Sequence, residues 1–97
     1  MQTKLNQAQL VIGRHYNFLR ETYKVRRLGI FGSVVRGEEK INDIDLLVEF
    51  SEPIGLFKFM ELEGFLSKVL NKKVDLVTKN AIKPIVKEEI LSEAVYV

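Results

Sequence analysis

With 97 residues the chain has room for one domain, residues 1–97, and not for a second. Apolar residues at 46% and charged ones at 29% suit a water-soluble globular protein, and a near-balanced charge of +2, spread along the chain, argues against a strongly basic nucleic-acid or membrane surface. The absence of cysteine excludes a disulfide scaffold and a thiolate metal site, and no apolar run approaches a bilayer span, which predicts a cytoplasmic protein.

Leu5, Ala8, Ile12, Leu19 and Tyr23 recur at helical spacing with polar residues between them, predicting one amphipathic first helix. Its His15 is the chain's sole histidine and reads as a surface or partly buried side chain rather than a catalytic one. Residues 25–31 form a largely apolar strand running into Gly32, and residues 44–50, rich in Ile, Leu and Val, form a second. Leu56, Phe59, Met60, Phe65, Leu66 and Val69 return to helical spacing, with Gly64 a weak point. Residues 74–77 make a third strand, and Thr78-Lys79-Asn80 a turn. A helix over residues 81–91 follows with Pro84 in its first turn, and residues 94–97 make a last short strand. A long helix between the second and third strands implies a crossover and hence parallel pairing there. The fold class is α/β or α+β: a small mixed sheet with helices packed on one face.

The chemistry-bearing stretch is Gly29-Ile30-Phe31-Gly32-Ser33-Val34-Val35-Arg36-Gly37, followed by Asn42-Asp43-Ile44-Asp45-Leu46-Leu47-Val48. Strand residues two apart share a side, so Asp43 and Asp45 present their carboxylates together. Adjacent like charges repel and raise each other's pKa. A hard divalent cation such as Mg²⁺, held by one or two carboxylates plus substrate phosphates, resolves that conflict. If the third strand lies beside the second, Asp75 joins the cluster. A strand ending in Gly32-Ser33 and entering a short helix offers N–H groups and a hydroxyl to phosphate oxygens, with Arg36 near enough to neutralise one. Each element alone is common; their joint order and spacing carry the reading of a phosphoryl- or nucleotidyl-transfer site. A P-loop fails because Glu38-Glu39 stand where Lys-Ser/Thr should follow, and an EF-hand fails at Leu47 and Val48.

The combination of Gly32-Ser33-x-x-Arg36-Gly37, Asn42-Asp43-x-Asp45-Leu46-x-Val48 and Asp75 on a later strand resembles the signature of the minimal nucleotidyltransferases of the polymerase-β-like superfamily. The ending, Glu93-Ala94-Val95-Tyr96-Val97, is also similar to that family's usual close. One departure is Asn42, where Ser is commoner. The resemblance implies the polymerase-β-like nucleotidyltransferase fold and the antitoxin half of a toxin–antitoxin module whose partner is a HEPN ribonuclease toxin. Such antitoxins transfer AMP from ATP to a tyrosine of the toxin.

On that resemblance, Gly32, Ser33 and Arg36 are expected to bind the triphosphate, and Asp43, Asp45 and Asp75 to form the catalytic and Mg²⁺-binding set. Asp75 either completes a second metal site or takes the acceptor's proton. Two other classes stay open: an antitoxin acting by binding alone, and a small-molecule nucleotidyltransferase subunit. Homo-oligomer formation is open too, and no direct nucleic-acid contact is expected. Leu56-Phe57-Lys58-Phe59-Met60 carries more large apolar groups than one helix face buries, so part of it is a candidate partner surface.

Overall fold

The computed structural model describes residues 3–97. Thr3 caps the first helix, α1 (Lys4–Arg14), its side chain accepting from the Asn6 N–H at 3.0 Å. The predicted single first helix is in fact two. His15, at φ −102° and ψ 7°, leaves helical geometry, ends α1 and starts α2 (Tyr16–Tyr23). Gly13 weakens the last turn of α1, and the break lets the half-buried His15 ring stand edge-on to Phe65, with centroids 5.3 Å apart. Lys24, in the left-handed region at φ 58°, closes α2 and turns the chain into β1 (Val25–Phe31).

The short helix α3 (Ser33–Arg36) and a loop lead to β2 (Ile44–Phe50), then α4 (Leu56–Leu70) crosses to β3 (Val74–Thr78). Gly64 is exposed and does not interrupt α4. A 3₁₀ turn (Lys79–Ala81) precedes α5 (Pro84–Glu93), which begins later than the predicted residue 81. Pro84 is the cause: a residue before proline avoids the α region, so Lys83 stays extended and the helix starts at the proline itself. The two-residue β4 (Val95–Tyr96) closes the sheet.

The strand order is β3-β2-β1-β4, with β2 and β3 parallel and the other two pairs antiparallel. This is the mixed sheet that the α4 crossover implied. One face is built from Leu28 and Ile30 on β1, Ile44, Leu46 and Val48 on β2, and Val74 and Leu76 on β3. Ala8, Ile12, Leu19, Tyr23, Val34, Leu62 and Leu66 from α1 to α4 pack onto it in one cluster. Val25 belongs to the same cluster although it lies an odd three positions before Leu28. A register irregularity between Val25 and Arg27 absorbs the odd residue and leaves both Arg26 and Arg27 outside. α5 contributes no buried residue. Pleating then sends Asp45, Leu47 and Asp75 to the opposite face.

The β3 edge is closed by side chains from α4. The Val74 N–H donates to Ser67 Oγ and the Leu76 N–H to Glu63 Oε2, each at 3.0 Å, so α4 takes the place of a further strand. At the other edge, β4 can approach because residue 29 is glycine: a Cβ there would lie 3.1 Å from the Tyr96 ring and 3.4 Å from Ala94 Cβ. Tyr96 in turn receives the Arg27 guanidinium 3.8 Å above its ring centre.

Candidate active site

β1 ends at Phe31, whose register partner on β2 is Asp45, and Asp45 is itself opposite Asp75 on β3. Three adjacent strands thus bring the Gly32-Ser33 turn and two carboxylates to one end of the face opposite the α1–α4 layer. The parallel register is what joins Asp45 to Asp75, thirty residues apart in the chain.

Asp43 is placed differently from the expectation that both acids of the Asp-x-Asp pair lie in the strand. β2 starts at Ile44, so half-buried Asp43 belongs to the loop just before it. Its charge nevertheless reaches Asp45. The Asp45 carboxyl binds its proton more tightly than an ordinary aspartate, through burial first, then the charges of Asp75 and Asp43. Arg36 opposes the shift and Glu93 adds to it.

Gly32 has φ 78° and ψ −148°, a conformation that L side chains rarely adopt. A Cβ there would also collide with Asp45 Oδ2. The glycine is therefore required twice, by the backbone turn and by the close approach of the acid. Its carbonyl accepts from the Val35 and Arg36 N–H groups at 3.0 and 3.1 Å, starting α3. Gly37, also left-handed at φ 71°, ends that helix after one turn.

The turn has a further partner that spacing alone does not reveal. The Gly32 N–H donates to Glu93 Oε1 at 2.5 Å, across 61 residues of sequence. Arg36 Nη1 lies 3.2 Å from both oxygens of the same carboxylate, and Arg36 Nε 2.8 Å from Glu38 Oε2. These two acids, Glu38 the stronger, hold the guanidinium more firmly protonated. Gly32 and Arg36, expected to face phosphate, are thus both also engaged by Glu93. The available signal for Glu93 was its place directly before a short apolar segment able to pair with β1. Among the described residues no three His, Cys, Asp or Glu side chains converge as a ready-made metal cage. The donors at hand, Asp43, Asp45 and Asp75, are all carboxylate oxygens, the type a hard divalent cation takes.

Residues 12–97 match the family model described as a nucleotidyltransferase domain. The chain belongs to that family. This nucleotidyltransferase is 44% identical over 94 residues to the protein adenylyltransferase MntA of Thermococcus cleftensis, covering 96% of its own length and 95% of that protein. A solved structure described as a minimal nucleotidyltransferase superposes with a TM-score of 0.72 at 28% identity, covering 97% of this chain and 95% of the other. A more distant match, at TM-score 0.66 and 22% identity, is to the structure of a tri-AMPylated Shewanella oneidensis HEPN toxin in complex with MNT antitoxin. It covers 92% of this chain and 70% of that one, and it shares the fold. Among the described residues of the nucleotidyltransferase, no helix is long and apolar enough to cross a membrane.

Proposed function

We propose that this nucleotidyltransferase transfers AMP from ATP to a tyrosine hydroxyl of a HEPN-type toxin and so serves as the antitoxin of the pair. The observation that carries the reading is the direct opposition of Asp45 and Asp75 on parallel strands, beside a turn where any residue but glycine is strained. The name of the Thermococcus cleftensis relative and the AMPylated state of the Shewanella oneidensis toxin complex support the choice of group transferred and of acceptor.

In this reading Asp43 and Asp45 hold Mg²⁺, and Asp75 stands beside them as the base. The raised affinity of Asp45 for a proton, caused by burial and two neighbouring acids, marks a cluster short of positive charge. When bound, the ion offsets the charge of the phosphates and lowers the pKa of the attacking hydroxyl. Ser33 donates its hydroxyl hydrogen bond to a phosphate oxygen, and Gly32 keeps the backbone low enough for the nucleotide to reach it. Arg36 supplies a nearby positive charge. The tyrosine oxygen forms a bond to the α-phosphorus, the bond from that phosphorus to the pyrophosphate oxygen breaks, and Asp75 takes the proton released.

The test combines the purified protein, Mg²⁺, ATP labelled at the α-phosphate and the toxin encoded by the neighbouring gene. Label is expected on the toxin with wild type and to be lost with Asp43→Ala plus Asp45→Ala. Labelling by that double variant, or none by wild type, overturns the proposal.

A further inference from the structure

We propose that Glu93 is a positioning residue for nucleotidyl transfer: its carboxylate fixes the Gly32-Ser33 turn by completing the β1–β4 ladder. The inference rests on the reading of Gly32-Ser33 as the turn that receives the phosphates. The ladder itself is short, pairing Gly29 with Tyr96 and Ile30 with Val95, with the Val97 N–H donating to the Leu28 carbonyl at 2.9 Å. Carrying that register forward brings Gly32 opposite Glu93. There the chain leaves the extended path on both sides, into α5 at Glu93 and into α3 after Gly32, so no main-chain carbonyl stands where the Gly32 N–H needs one. The Glu93 side chain fills the place, accepting at 2.5 Å. A charged acceptor makes this bond stronger than a neutral ladder bond.

The consequence is local rigidity at the one residue least able to supply its own. Glycine at φ 78° has access to conformations closed to other residues, and the Asp45 carboxyl lies against the place of its missing side chain. Glu93 holds its N–H. The same carboxylate holds Arg36 at 3.2 Å, so the two ends of α3 are tied to a single group. Ser33, first residue of that helix, is thereby aimed without a direct contact to Glu93. Misplacement by about 1 Å of a group that orients a substrate can cost roughly a hundredfold in rate.

Glu93→Ala and Glu93→Gln separate the anchor from general support of the fold. The amide of Gly32 in an ¹⁵N–¹H spectrum reports the hydrogen bond without nucleotide: it is expected far downfield and exchange-protected in wild type, shifted upfield and exchanging in Glu93→Ala, and largely restored in Glu93→Gln. In the labelled-ATP assay Glu93→Ala is expected to lower kcat about 10- to 100-fold while KM for MgATP moves by less than about threefold. Glutamine keeps an acceptor of the same shape, so Glu93→Gln is expected to recover kcat to within about threefold of wild type. An unchanged Gly32 amide in Glu93→Ala, an unchanged kcat, or a Glu93→Gln variant as slow as the alanine would each overturn the proposal. If wild type transfers no label, the functional reading fails, and the amide measurement still decides whether Glu93 anchors the turn.

Discussion

Gly32 and Asp45 form the tightest residue-scale constraint in the molecule, because each limits what the other can be. Gly32→Ala would put a Cβ against Asp45 Oδ2 and hold alanine at φ 78°. The backbone strain alone costs on the order of 1–3 kcal/mol. A lower denaturant midpoint by urea titration and loss of transfer activity are both expected. Asp45 itself works against the fold when ionised. Its folded-state proton affinity is raised by burial and by Asp75 and Asp43, so its stabilising contribution is complete below the ordinary aspartate range and is lost as pH climbs through the raised value. Asp45→Asn is therefore expected to melt higher than wild type at neutral pH in a chelating buffer, the gap closing as pH falls below that range, while transfer activity is abolished. A wild type that melts higher than the variant at neutral pH under those conditions contradicts the assignment. These residues were largely legible from their order alone, since Gly-Ser followed by two spaced aspartates is a joint signal. Glu93 was not, because a contact across 61 residues leaves no trace in local spacing.

Among the elements, β3 shows how much of a site depends on a helix that never touches it. Its outward N–H groups at Val74 and Leu76 are satisfied by Ser67 and Glu63 of α4, and between them sits Asp75. Glu63→Ala would leave the partly buried Leu76 N–H without its acceptor, at a cost of about 1–3 kcal/mol. Faster hydrogen exchange of Leu76 relative to the β1–β2 amides is the expected signature. Apolar periodicity identified every strand and α4, because burial on one face writes itself into alternation and helical spacing. It overran the break at His15, since Leu5, Ala8, Ile12, Leu19 and Tyr23 keep facing the core across it. It also began the last helix too early, where the restriction that Pro84 places on Lys83 outweighs the apolar pattern. The Glu63 and Ser67 caps were invisible for another reason: on an amphipathic helix they read as solvated polar positions.

At the scale of the molecule, the sheet divides its labour by face. Helices α1 to α4 cover one side, and the opposite side carries Asp45 and Asp75 at one end and the Arg27–Tyr96 stack towards the other. The parallel pairing of β2 with β3 links the two sides. A slip of one residue in that pairing would turn Val74 and Leu76 away from the core and drive Asp75 into it. The alternation that hides two apolar side chains is therefore the same alternation that matches the acids, and mispaired molecules forfeit burial and acid matching together. The register acts as a built-in error check: no chain keeps Asp45 opposite Asp75 on an ill-paired sheet.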